Sequence, residues 1–160
     1  NGSVPNEDLR DQVKIRASNA EPYIDIQADG EWEFNASNVD NYCCFADITE
    51  WVAGNPVNAR YTVANVIATE NNSSWGGWVL VIVYTDALEP MRNLTVFDGL
   101  AMITMNGGGN NSQVDVPISG FLTPPTGPVD LQLGVVAYDG DRGEGGDQLG
   151  FDGAGTFEYI

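Results

Sequence analysis

Apolar and polar residues alternate between Val13 and Phe45. Val13 and Ile15, then Ile24-Asp25-Ile26-Gln27, then Trp32 and Phe34 follow a period of two, which predicts short half-buried strands; Glu21-Pro22 and Ala28-Asp29-Gly30 supply the turns. Tyr42 to Phe45 predicts another short strand. The pattern breaks at Asp47-Ile48-Thr49-Glu50, which has the form of a capping box: Asp47 can accept backbone N–H groups and Glu50 can reach back. Trp51 and Val52 follow, and Gly54 with Pro56 ends the segment, so one short helical turn is expected. Alternation resumes in the β-branched stretch Arg60 to Thr69. Val79-Leu80-Val81-Ile82-Val83-Tyr84 is apolar throughout and bounded by turn residues, which predicts a strand covered on both faces. Asp86 to Pro90 turns the chain. Asn93–Phe97 and Leu100–Met105 are expected to pair across Asp98-Gly99, a hairpin dipeptide. Val114–Ile118 carries Pro117 and suits an edge strand, Pro124 to Pro128 a rigid crossover, and Leu131–Tyr138 a further strand.

Many short strands, turn signals between them and one helical turn predict an all-β fold, an antiparallel β-sandwich of jelly-roll or immunoglobulin-like topology. Residues 1–12 are polar with no sustained period and are expected to form an extended arm or linker. Residues 13–160 are expected to form the sandwich.

Charge narrows the partners. With 23 acidic against 6 basic residues the net charge is -17, which repels nucleic-acid phosphates and anionic lipid surfaces. The chain has no histidine, which removes the commonest general base and transition-metal ligand, and with them Ser/His/Asp and Cys/His nucleophile systems. A pair of carboxylates, sufficient for glycoside hydrolysis, stays formally open. No apolar run approaches the ~18 residues that a membrane helix needs. The chain begins at Asn1 rather than Met, so a mature product or an excised fragment is expected, and the composition suits an exported protein.

The densest chemistry lies in Leu131 to Asp152. Asp139, Asp141, Asp147 and Asp152 crowd a glycine-rich bend whose only internal cation is Arg142. Carboxylates packed this closely repel one another unless something positive sits between them. Asp139-x-Asp141-x-Gly143-x-x-x-Asp147 places oxygen donors at relative positions 1, 3 and 9, as calcium loops do, with glycines that let the backbone wrap a small ion. It is not an EF-hand, since Gly143 and Gly150 occupy the fifth and twelfth positions and the flanks predict strand. Ca²⁺ is therefore expected on Asp139, Asp141 and Asp147, with Asp152 and Glu144 as secondary ligands; the alternative is a solvated acidic loop.

Cys43 and Cys44 are adjacent, and on a strand their side chains point to opposite faces. Two half-buried thiols, a strained vicinal disulfide, or cross-links to other chains all fit. Trp75 and Trp78 are candidates for a sugar-binding face, although aromatic residues on strands more often serve the core.

Four blocks, Trp75 to Tyr84, Arg92 to Gly99, Gly120 to Val129 and Leu133 to Leu149, resemble in their order a module of large secreted bacterial cell-surface proteins of the adhesin type. The likeness runs through residues 42–153. It implies a place on the outside of a bacterium and an adhesive or structural, non-enzymatic role, and it carries no catalytic residues. The expected partners are copies of the chain or other surface modules, with a glycan as the alternative ligand.

Overall fold

The structure, a computed structural model, describes residues 9–18, 21–36, 39–56, 58–69, 74–103, 113–138, 148–152 and 157–159. Elements are ordered β1 (Gln12–Arg16), β2 (Ile24–Gln27), β3 (Gly30–Ala36), β4 (Val39–Phe45), α1 (Thr49–Ala53), β5 (Thr62–Ala64), β6 (Gly150–Asp152) and β7 (Phe157–Tyr159). Every ladder is antiparallel, and α1 is the one α-helix among the described residues, so the fold class is all-β.

The first sheet has the order β2-β1-β5. Its register sets Val13 opposite Ile26 and Ile15 opposite both Ile24 and Val63, which gathers the apolar residues on one face. The other face carries Lys14 opposite Asp25, joined as an ion pair. This is the period-two pattern of the sequence made physical, since a one-residue slip would turn every apolar side chain to water. Ile15 and Ala17 are the buried apolar residues among those described.

The β3–β4 hairpin is two-faced in the same way. Trp32 pairs with Cys43, Phe34 with Asn41, and Gly30 with Phe45, whereas Glu31 pairs with Cys44 and Glu33 with Tyr42. Directly opposed residues share a face, so one side is largely apolar and the other is acidic. The turn at Ala28-Asp29 is tied on both sides: Ala28 N–H donates to the Asp11 carbonyl at 2.7 Å and Asp29 N–H to the Phe45 carbonyl at 2.8 Å.

The capping expectation for Asp47 holds in part. Its Oδ1 accepts the Thr49 N–H at 2.9 Å, although the residue in the formal cap position is Ile48, which makes no side-chain cap. Gly54 closes α1 in right-handed geometry, with its N–H on the Trp51 carbonyl. An edge-to-face contact of Trp51 with Tyr61, centroids 5.9 Å apart, fixes α1 to the segment that leads into β5.

Six strand expectations need correction. The ladder expected over Arg60 to Thr69 forms only at Thr62–Ala64, because Asn65 adopts φ 64, a left-handed conformation that ends extended pairing. The strands expected at Val79–Tyr84, Asn93–Phe97, Val114–Ile118 and Leu131–Tyr138 carry no ladder among the described residues, and most of their side chains are exposed. Composition marks a segment as strand-competent, but a strand also needs a partner backbone in register. The described part of Leu100–Met105 is likewise without a ladder. The turn after Asp86 does form: Asp86 Oδ1 accepts Leu88 N–H at 2.8 Å.

Candidate functional site

The acidic bend enters from Tyr138. That ring stacks on Trp75 with centroids 5.3 Å apart and planes 5° from parallel. Gly77 makes this possible, because a Cβ there would lie 2.6 Å from the Tyr138 ring, a distance no real side chain tolerates. On its far side the bend runs into β6, whose Gly150, Phe151 and Asp152 pair with Tyr159, Glu158 and Phe157. The near flank is therefore held by ring stacking, and the far flank opens the two-stranded β6–β7 ladder. Asp139, Asp141, Glu144 and Asp147 lie outside the described residues, and Asp152 is placed by its backbone in β6. Among the described residues no cluster of three Cys, Asp or Glu side chains could hold a metal.

Trp75 thus has a position that its sequence did not disclose: it holds the residue immediately before Asp139. Trp78 is 47 % exposed.

Cys43 and Cys44 are free, half-buried thiols on β4. No vicinal disulfide joins them. Cys44 Sγ–H donates to the Arg10 carbonyl at 3.6 Å. Burial, reinforced by the neighbouring Glu31 carboxylate and Cys43, pushes the Cys44 pKa up to about 11, with Arg10 opposing. Cys43 is raised as well, by burial first and then by the Asp98 carboxylate. Both are held in the unreactive protonated form at neutral pH.

Arg10 is a residue that sequence reasoning missed. Its guanidinium meets Glu31 at 3.4 Å, pairs with Glu33, and lies over the Tyr42 ring, 5.7 Å from the centroid. The segment before β1 thereby straps the acidic face of the hairpin. Tyr42 adds a further tie by donating its hydroxyl proton to the Ile67 carbonyl. The available signal was the scarcity of cations: in a chain of net charge -17, each arginine has carboxylates to satisfy.

Comparison of the chain with family models, with curated proteins and with solved structures gave no match.

Proposed function

We propose that the chain is a non-enzymatic structural or adhesive protein of a bacterial exterior: a β-sandwich, closed late in the chain by calcium, that builds a surface filament, layer or adhesin with copies of itself or with sister modules. The stacking of Tyr138 on Trp75, at the entry to the acidic segment, is the observation that carries the reading. A loop whose entry is held by the Trp75–Tyr138 stack has less freedom to lose on closing around an ion than one free at that end. Asp139, Asp141 and Asp147 supply the main ligands, Asp152 and Glu144 complete the set, and oxygen donors suit a hard cation.

Two one-sided sheet faces support the sandwich. Val13, Ile15, Ile24, Ile26 and Val63 share one side of the first sheet, and Trp32, Phe34, Cys43 and Phe45 share one side of the hairpin. Faces of this kind bury themselves against another sheet. Cys43 and Cys44, protected in the folded chain, lock subunits together where opening of the β3–β4 hairpin exposes them and an external oxidant takes the two electrons and two protons of each thiol pair. Protein from oxidising conditions should then run above monomer mass in non-reducing electrophoresis.

Calcium binding to the folded form alone stabilises it by mass action, by about 2.7 kcal/mol when the ion stands at a hundred times its Kd. Melting the chain with calcium and with excess chelator tests this: a clear drop on chelation is expected, and superimposable curves would remove the ion from the proposal.

A second reading, a carbohydrate-binding module, is favoured by one observation, the exposure of Trp78, 47 %. A glycan array without hits disposes of it.

A further inference from the structure

We infer that Asn93 is the acceptor of an N-linked oligosaccharide, joined through its side-chain nitrogen. The inference goes beyond the proposed role and rests only on the export part of that reading, since Asn-x-Ser/Thr acceptors belong to the surface loops of secreted proteins. The triplet begins at six positions, Asn1, Asn35, Asn71, Asn72, Asn93 and Asn110, and none has proline in the middle. The chain has 15 asparagines, and 16 serines and threonines among its 160 residues. Placed independently, these would give only about one or two such triplets. The excess sets the motif apart from a merely Asn-rich composition.

Geometry selects one of the six. Asn93-Leu94-Thr95 is the triplet whose three residues all lie among those described, and all three are exposed, on a segment that belongs to no helix or ladder. An enzyme that works on the amide needs backbone it can hold, and no ladder has to be broken to reach this one. Asn93 Oδ1 accepts the Leu122 N–H at 3.0 Å. Because a backbone N–H can only donate, the atom facing it is the oxygen, which leaves Nδ2 as the end outside that contact. Nδ2 has no hydrogen bond among the described residues. Asn35, on β3, differs: its Nδ2 already donates to Glu33 Oε2 at 3.4 Å.

The donor is an oligosaccharide carried on a lipid diphosphate, and a transferase brings it to the chain. Asn93 Nδ2 attacks the anomeric carbon of the first sugar. The bond formed is nitrogen to carbon, the bond broken joins that carbon to a diphosphate oxygen, the amide gives one proton to a base of the transferase, and the lipid diphosphate leaves. Nothing is oxidised or reduced. The reaction does not consume Oδ1, so the hydrogen bond from Leu122 survives the attachment and the fold needs no adjustment at Asn93. The added bulk also falls where it is useful. Leu94 is 60 % and Leu122 76 % exposed, so a hydrated glycan rooted beside them shields apolar side chains from other molecules.

The test is peptide mapping by mass spectrometry of the full chain purified from its own cells, with surface and interior fractions kept apart, beside Asn93→Gln, Thr95→Ala and Thr95→Ser made in the same cells. The wild-type peptide that carries Asn93 should be heavier by a run of sugar residues, with the first sugar left on Asn93 after fragmentation. Asn93→Gln should lose the added mass. Thr95→Ala keeps Asn93 and its contact with Leu122, so the fold is undisturbed, and should lose it too; Thr95→Ser, which restores the hydroxyl, should keep it. A bare Asn93 in wild-type protein from the surface fraction, or the same added mass in Thr95→Ala, overturns the inference. The bare surface protein would leave the exterior reading standing, whereas a bare chain confined to the interior would take both away.

Discussion

Arg10 joins two parts of the chain that sequence distance separates. Its partner Glu33 is 23 positions away, which is why no local pattern betrays it. Replacing it with methionine keeps the aliphatic stem but removes both ion pairs and the contact with Tyr42. Because the pairs are partly solvated, a loss of about 1–2 kcal/mol is expected, read as a lower urea midpoint at constant slope. The deficit should shrink in high salt; a midpoint equal to wild type at low salt would show that the strap contributes nothing. The thiols beside it give a second prediction. A group whose pKa is raised by folding adds stability that is complete below its unfolded pKa and is lost as pH rises through its folded value. Stability should therefore decline between the ordinary thiol range and pH of about 11, the Cys44 value. At neutral pH both thiols should alkylate far more slowly in the native chain than in urea. Native labelling as fast as denatured labelling would contradict the protection described for β4.

At the scale of elements, the helical turn was legible because its signals are local. Asp47 sits two residues from the N–H it caps, and hydrogen bonds from Thr49 hold its carboxyl below the usual carboxylate range. A depressed folded pKa adds stability that is present above the unfolded pKa and disappears as pH falls through the folded one. Asp47→Ala should therefore lower the melting temperature at neutral pH, with the gap to wild type closing in acid. A gap that persisted unchanged below the carboxylate range would assign the effect to something other than this cap. β1 and β2 were legible for a similar reason, since the period of Val13, Ile15, Ile24 and Ile26 chooses both strand and register. β5 was read too long: no residue preference reveals that Asn65 will turn left-handed. Val79–Tyr84 illustrates the opposite limit, for a run apolar on both faces states what it needs without stating who supplies it.

At the scale of the whole molecule, charge is the dominant field. A net charge of -17 makes the compact state repel itself. Moving from about 0.01 M to about 0.15 M salt shortens the screening length from about 30 Å to about 8 Å. The melting temperature should rise over that interval even with sodium chloride alone, and a divalent salt should act more strongly at equal ionic strength. Equal effects of the two salts would argue for screening without a specific site. The spacing of carboxylates from Asp139 to Asp147 can be read in the sequence, whereas the ring stack at its entry cannot. Trp75 and Tyr138 are far apart in sequence, and only Gly77's missing side chain allows their rings to meet.

The order β2-β1-β5 sets β1 in the middle of its sheet, directly after the Arg10 strap. Tension applied to the chain ahead of Arg10 would reach that junction first and then a strand gripped along both sides. Extraction has to unzip or shear two ladders together, so the N-terminal end is the firmer handle for bearing mechanical load.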